Sequence, residues 1–273
     1  MPAGRDSEGT SSGGNPPPRF DTRVAHIARV YNYWLGGKDH FAADRELAER
    51  FIAADPAVIA GVRANRAFLG RAVHFLVADA GIRQFLDIGT GIPTANNTHE
   101  VAQRTAPTSR VVYVDNDPIV LAHACALLTS DPAGVTAYVD ADLRDTGKIL
   151  AEAAQTLDLA QPVAIMLVGV LHCIADRDDP RGIVARLMNA VPAGSYLVLS
   201  HPAADIQAEA MAAGSALLNQ ALPGPITFRK HREVARLFDG LELVEPGLVS
   251  TSQWRSGADV KALNAWAGVA RKT

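Results

Sequence analysis

A short apolar segment that runs directly into a glycine turn constrains this chain more than any other feature. Residues 84–88 have the composition of a buried strand, and Gly89-Thr90-Gly91 follows them without a break. Glycine is needed at such a point because a Cβ atom would obstruct both a tight turn and the close approach of a ligand to the backbone. Open α/β sheets bind ligands at this edge. The pattern therefore predicts a pocket for a nucleotide or amino-acid moiety.

The rest of the chain alternates between short apolar segments and helical patterns, which is typical of βαβ units and a parallel sheet buried on both faces. We expect an α/β fold: a Rossmann-like, seven-stranded, mostly parallel sheet with helices on both faces and an N-terminal helical extension. The predicted strands are 84–88, 110–114, 136–139, 164–168, 196–200, 241–244 and 264–270. The helices between and after them are predicted at 96–104, 118–128, 146–155, 181–190, 204–222 and 231–237.

The region before the first strand has a different composition. Residues 1–20 are rich in Gly, Ser and Pro, which predicts a disordered tail. Apolar residues then recur at helical spacing after Asp21 or Thr22, either of which could cap a helix that Gly36-Gly37 ends. Two more helices are predicted at 44–54 and 57–80. The expected organisation is a disordered tail (1–20), an N-terminal helical extension or lid (21–82) and a Rossmann-like core (83–273).

Carboxylates follow three neighbouring strands and set the charge of the predicted pocket. The dinucleotide fingerprint expects a third glycine where this chain has Thr94, and no phosphate-binding lysine follows. Asp87 suits the ammonium of a methionine moiety better than a phosphate. Asp115 lies at the distance beyond the turn that is expected of a ribose-binding carboxylate. The third strand ends at Asp140-Ala141-Asp142, where a carboxylate could accept a hydrogen bond from an adenine amino group. S-adenosylmethionine fits this arrangement.

These strand-end motifs resemble the successive cofactor motifs of class I S-adenosylmethionine-dependent methyltransferases. The segment Tyr31-Asn32-Tyr33-Trp34-Leu35-Gly36-Gly37-Lys38-Asp39 also resembles the opening signature of an actinobacterial group of presumed methyltransferases, formerly classed as a domain of unknown function. The chain departs from many relatives at Pro93, where they carry a third glycine, and the loop is expected to be stiffer. The resemblance implies that S-adenosyl-L-methionine is the cofactor and that it contacts Asp87, Gly89, Thr90, Gly91, Asp115, Asn116, Asp142 and Leu143.

Candidates for the acceptor side come from other strand ends and from the N-terminal segment. His172 follows the fourth strand and could act as a base toward a hydroxyl or amine, although a buried histidine with one hydrogen bond would explain it equally well. Methyl transfer can also proceed by positioning alone. The candidates for the substrate pocket are Tyr33, Lys38, Asp39, His40 and His201. For 38–40 the alternative is a solvated helix end, and Asp117 and Asp145 are expected to cap helices rather than bind ligands.

Composition narrows the class of partner. A formal net charge of -3 with 20% charged residues disfavours a nucleic-acid partner. Cys125 and Cys173 have no spacing typical of a metal site, so no metal is expected. Without a secretory signal or a stretch of roughly 18 apolar residues, we expect a cytoplasmic protein without a membrane partner. The oligomeric state stays open, and a homodimer is compatible with the sequence.

The resulting expectation is an S-adenosylmethionine-dependent methyltransferase that acts on a small-molecule acceptor by O- or N-methylation. Two alternatives stay open at this point. One is a sensor that binds S-adenosylmethionine or its demethylated product without catalysis. The other is an NAD-dependent oxidoreductase, for which Asp115 is suitable but Thr94 is not.

Overall fold

A computed structural model of the protein describes residues 21–127, 130–257 and 260–273. The predicted disordered tail, 1–20, lies outside the described residues. Within the described ranges, no helix has both the length and the apolar character needed to span a membrane.

One sheet organises the molecule. Its strands are β1 (Gln84–Ile88), β2 (Arg110–Asp115), β3 (Val135–Asp140), β4 (Ala164–Val168), β5 (Tyr196–Pro202), β6 (Glu242–Leu243), β7 (Val249–Ser250) and β8 (Ala265–Arg271). Strands β1 to β5 are parallel in the order β3-β2-β1-β4-β5, and β8 joins β5 antiparallel. The sheet has eight strands because both two-residue strands, β6 and β7, pair with β8. The predicted Rossmann-like α/β fold is confirmed.

Nine α-helices occupy the described residues. They are α1 (Ile27–Trp34), α2 (Ala42–Ala54), α3 (Val58–Ala78), α4 (Thr98–Thr105), α5 (Pro118–Leu127), α6 (Thr146–Ala153), α7 (Pro180–Asn189), α8 (Ala208–Ala221) and α9 (His231–Ala235). Short 3₁₀ turns lie at Leu171–Cys173, Asp176–Asp178 and Arg236–Phe238. The predicted cap of the first helix was wrong: His26 occupies that position, and Asp21 instead pairs with Arg23 at 2.8 Å.

Alternate residues of the strands enter separate cores on the two faces of the sheet. On one face Leu86 and Val112 pack with α6 and α7, whereas on the other Phe85 and Val111 pack with α3 and α4. A third cluster joins α1, α2 and the beginning of α3 to α8, with Phe51 among its members. The N-terminal helices therefore share a core with a helix that follows β5, and they lie over the carboxyl edge of the sheet.

A buried carboxylate holds the N-terminal helices together. Asp44 in α2 accepts hydrogen bonds from the backbone N–H groups of His26 at 2.9 Å and Phe41 at 2.7 Å. The buried guanidinium of Arg29 lies 3.1 Å from the same carboxylate, and it also donates to the Val24 carbonyl. Asp44 thus caps its own helix and fixes the start of α1 at once.

Replacing Asp44 with alanine is expected to destabilise the protein by about 3–5 kcal/mol, because the Arg29 charge would be left buried without its partner. Urea unfolding followed by circular dichroism measures this. The matched control is Asp239→Ala, whose ion pair with Arg181 is exposed, and we expect a loss of less than about 1 kcal/mol there. A loss that is equally small in both variants would contradict the anchoring role of Asp44.

Candidate active site

A cavity of about 420 Å³ opens at the carboxyl ends of the five parallel strands and continues beneath the N-terminal helices and α8. Every residue predicted to contact the cofactor lines it: Asp87, Gly89, Thr90, Gly91, Asp115, Asn116, Asp142 and Leu143. The two candidate histidines, His172 and His201, line it as well. The parallel topology brings these residues together because it places all the carboxyl ends at one edge of the sheet.

The glycine turn is held against the neighbouring strand. Gly89 N–H donates to the Val114 carbonyl at 2.8 Å, and Gly91 N–H donates to Asp115 Oδ2 at 2.9 Å. Gly89 has a φ of +75°, and a Cβ atom there would come within 2.2 Å of the Val170 side chain. Both the backbone conformation and the packing therefore require glycine at this position.

Asp87 is a buried carboxylate that no cation neutralises at contact distance. The residue is 5% exposed and accepts a hydrogen bond of 2.6 Å from Thr98 Oγ1. Within the described ranges, no Lys, Arg or His nitrogen lies within 4.0 Å of it. Burial raises the pKa of Asp87 to about 6, and the nearby Asp115 carboxylate acts in the same direction, while Thr98 and the Arg66 guanidinium oppose the shift. This edge of the cavity therefore favours a cationic group.

The ends of β2 and β3 are connected by polar contacts. Burial raises the pKa of Asp115, although the N–H groups of Asp117 and Gly91 donate to its carboxylate. Asn116 Nδ2 donates to Asp142 Oδ2 at 3.3 Å, and the Arg144 guanidinium lies 2.9 Å from the same oxygen. The cavity thus presents carboxylates from two successive strand ends.

The expected helix caps are present. Asp117 Oδ1 accepts from Ile119 N–H at 2.8 Å at the start of α5, and Asp145 accepts from Lys148 N–H at 3.0 Å at the start of α6. Asp117 has a second contact, because its other oxygen lies 2.8 Å from the His26 ring. That contact joins the N-terminal segment to the loop after β2.

The two histidines differ in the nitrogens they leave available. His201 Nε2 lies 2.9 Å from Arg229 Nη1 and its Nδ1 lies 2.9 Å from the Pro202 carbonyl. Because a guanidinium only donates, Nε2 must accept and Nδ1 must carry the proton. Burial lowers the pKa of His201 to about 3 and, together with the Arg229 charge, that of His172 to about 4. Buried Nδ1 of His172 has no hydrogen-bond partner in the part of the chain that the structure describes.

The N-terminal residues that were predicted to line the substrate pocket lie outside this cavity. Tyr33 donates its hydroxyl hydrogen bond to Glu49, and its ring meets the His40 ring edge-on at 5.0 Å. Lys38, Asp39 and His40 are also absent from the lining, whereas Tyr31 and Asn32 are part of it. The rotation of α1 explains why Tyr31 lines the cavity and Tyr33 does not, since residues two apart on a helix face different directions. Tyr31 is the tyrosine of α1 that lines the cavity.

Several residues that line the cavity belong to no recognisable sequence motif. Arg66 of α3 is half-buried and donates through Nη2 to the carbonyls of Ala95 at 3.2 Å and Asn96 at 3.1 Å. Asn65, one residue earlier, donates to Tyr31 Oη at 3.0 Å and accepts from Ser200 Oγ at 2.6 Å. A helical residue between other polar residues gives no sequence signal for such a role, so only the tertiary structure identifies these groups.

The S-adenosyl methyltransferase family model matches residues 14–273. This chain belongs to that family. It is accordingly an S-adenosylmethionine-dependent methyltransferase rather than an oxidoreductase. The cavity fits this cofactor, since the uncompensated carboxylate of Asp87 and the close backbone approach at Gly89 suit an amino-acid moiety with a positive charge.

Two solved structures are similar to this methyltransferase over nearly their whole length. A DUF574 family protein from Streptomyces avermitilis is 45% identical, with a TM-score of 0.90 over 93% of this chain and 100% of that one. A protein from Thermobifida fusca, provisionally assigned as a methyltransferase, is 41% identical, with a TM-score of 0.86 over 95% and 99%. No functionally curated protein matches the chain. The resemblance to an actinobacterial group is confirmed.

Proposed function

We propose that this methyltransferase transfers the methyl group to oxygen or nitrogen of a small molecule. The supporting observation is that the cavity at the strand-end carboxylates is also lined by apolar side chains of the helices that cover it, and we call this part the acceptor lobe. Members of this lobe include Tyr31, Phe51, Met211, Leu218, Ile226 and Phe228. A cavity of about 420 Å³ lies within the usual range of roughly 300–1,000 Å³ for small-molecule sites. A sensor of the cofactor alone would need no such lobe.

For the cofactor we assign one role to each strand end. Asp87 binds the ammonium of the methionine portion, Asp115 accepts from the ribose hydroxyls, and Asp142 with the Leu143 N–H binds the adenine. Gly89, Thr90, Gly91 and Asn116 form the surrounding wall. When bound, S-adenosylmethionine supplies a methyl group already activated by its sulfonium, so the protein has mainly to position the acceptor.

Arg66 completes the recognition of the amino-acid end. Arg66 lines the cavity, and its positive charge lowers the pKa of the Asp87 carboxyl group. Its Nη2 donates to two backbone carbonyls, and a guanidinium has five N–H donors in all, so donors are left for an incoming carboxylate. Asp87 and Arg66 together can therefore bind the ammonium and the carboxylate of the methionine portion.

His172 is our candidate for the group that receives the acceptor's proton. The lowered pKa of about 4 keeps its ring neutral near pH 7, and Nδ1 has no partner among the described residues. His201 is excluded from this role because both of its nitrogens are engaged. We assign His201 to holding Arg229. Residues 21–82 would act as the lid, since they cover the cavity and contact Asp117 through His26.

The class of acceptor can be tested by transfer of a labelled methyl group. The enzyme would be incubated with methyl-labelled S-adenosylmethionine and a Streptomyces lysate separated into metabolites below 1 kDa, protein and nucleic acid. We expect enzyme-dependent label in the metabolite fraction, because the covered lobe suits a small molecule. Heat-treated enzyme is the control. Label confined to protein or nucleic acid would contradict the proposal.

The assignment of Asp87 predicts a pH dependence of cofactor binding. Folding raises the carboxyl pKa from 3.8 to about 6, so the free protein protonates Asp87 as the pH falls through 6 and loses its attraction for an ammonium. Calorimetry should show nearly constant affinity for S-adenosylmethionine between about pH 7 and 7.5 and roughly tenfold weaker binding at pH 5. Asp115, whose pKa is also raised, contributes in the same direction.

Asp87→Asn isolates the contribution of Asp87 to that dependence. The amide oxygen can still accept from Thr98, so the fold should persist, while binding at pH 7.5 weakens and its pH dependence becomes smaller. Wild-type affinity that does not change between pH 5 and 8 would refute the assignment.

The assignment of Arg66 predicts a selective loss of affinity. Arg66→Gln should weaken binding of S-adenosylmethionine by about tenfold or more, because a charge-assisted pair is removed. Binding of decarboxylated S-adenosylmethionine, which lacks the group that Arg66 would bind, should change little. Arg63→Gln, an exposed residue of the same helix, is the control. Equal weakening of both ligands by Arg66→Gln would indicate that Arg66 only supports the 92–97 loop.

A further inference from the structure

A polar cluster lies in the wall of the acceptor lobe, apart from the residues assigned to the cofactor. Asp55, between α2 and α3, is 2% exposed, and Asn264, immediately before β8, is 9% exposed. Both line the cavity. Gln207, the residue before α8, completes the cluster. The three residues come from distant parts of the chain and meet only in the folded protein.

The hydrogen bonds of this cluster fix the orientation of the Asn264 amide. Its Nδ2 donates to Asp55 Oδ2 at 2.8 Å and to Gln207 Oε1 at 3.0 Å. Because an ionised carboxylate only accepts, the nitrogen must face Asp55. Asn264 Oδ1 is then left buried, with no hydrogen-bond partner in the described part of the protein.

Asp55 has acceptor capacity but no counter-charge. Its Oδ1 accepts from Ala57 N–H at 3.0 Å, and Oδ2 accepts from Asn264. Across residues 21–127, 130–257 and 260–273, no Lys, Arg or His nitrogen lies within 4.0 Å of the carboxylate. A buried charge is unfavourable unless a partner neutralises it. Asp55 and Asn264 therefore offer one negative charge without a counter-charge and one buried carbonyl oxygen without a hydrogen-bond donor.

The cluster is well separated from the glycine turn. Asn264 lies at the carboxyl edge of β5, where its carbonyl accepts from Ala203 N–H at 3.0 Å. In the order β1-β4-β5-β8, the adjoining strand β8 is three positions from β1, which corresponds to roughly 14 Å at the usual strand spacing. The lining of the same cavity also includes apolar side chains such as Phe51 and Met211.

From these observations we propose that the methyl acceptor is an amine with an apolar body, and that Asp55 and Asn264 bind its ammonium group at the end remote from the methylated atom. The inference rests on the proposed small-molecule function. An ammonium that donates to a carboxylate has no free electron pair, so it is not the nucleophile. A separate hydroxyl or amino group of the acceptor forms the new bond to the methyl carbon, the sulfur keeps the electrons of the broken C–S bond, and the acceptor's proton leaves to His172 or water.

Paired ligands test this inference without any mutation. We choose three pairs of compounds in which one member has a cationic amine where the other has a neutral hydroxyl. The pairs are tryptamine and tryptophol, phenethylamine and 2-phenylethanol, and 2-(2-naphthyl)ethylamine and 2-(2-naphthyl)ethanol. Binding to the protein saturated with S-adenosylhomocysteine would be measured by ligand-observed NMR at pH 7.5. In at least one pair the amine should bind about tenfold or more tightly than the alcohol, since an ion pair strengthens the hydrogen bond.

Asp55→Asn is then expected to remove most of the preference for the amine while leaving the affinity for the alcohol within about twofold. Binding of S-adenosylhomocysteine reports whether the variant is folded, and Asp79→Asn, at a carboxylate outside the cavity, is the matched control. Equal affinities of amines and alcohols in all three pairs, or no binding of any amine, would overturn the inference. Intact binding of S-adenosylhomocysteine in the same samples would show that the cofactor assignment survives, which separates the two failures.

Discussion

The most consequential constraint in this protein is that Asp87 is buried beside a glycine turn without a cation at contact distance. An ionised carboxylate in that position is unfavourable for the folded protein alone, and burial raises its pKa to about 6. Thr98 and the more distant Arg66 offset only part of that penalty. A ligand with a positive group relieves the rest, so the same burial that weakens the fold strengthens binding. Pockets that carry perturbed carboxylates are common at functional sites for this reason.

The N-terminal helices turn that edge of the sheet into an enclosed site. Residues of α1, α2 and α3 line the cavity at the strand ends together with Asp87. The helices are held by the buried Asp44–Arg29 pair and by the His26 contact to Asp117. Asp117 follows Asp115, the proposed ribose-binding carboxylate, by two residues, so the His26 contact connects the N-terminal helices to the loop proposed to bind the cofactor. An extension that also shares a core with α8 is part of the site rather than an appendage.

The sheet could be predicted from the sequence because its signals are local. Strands buried on both faces are mainly apolar, and the bounds of β1 and β4 were predicted to the residue. Strand-end carboxylates could be found for the same reason, since a parallel topology places every carboxyl end at one edge. No comparable sequence rule locates the residues that are proposed to contact the methyl acceptor. There the phase of one helix decides whether Tyr31 or Tyr33 faces the cavity, and a recognisable motif does not reveal that phase.

The polar residues of the proposed acceptor site could not be predicted from local sequence patterns, because their roles depend on tertiary contacts. Asp55, Gln207 and Asn264 lie in three separate connections, and none of them has an informative neighbour in sequence. That the cluster has a hydrogen-bond acceptor without a donor becomes visible only when the hydrogen bonds of the Asn264 amide are assigned. The proposed cofactor half of the site is thus built from contiguous motifs, whereas the proposed acceptor half is assembled from the α2–α3 turn, the start of α8 and the approach to β8. On this proposal, substitutions in those connections can alter what is methylated while the strand ends assigned to the methyl donor stay unchanged, because the two sets of residues come from different parts of the chain.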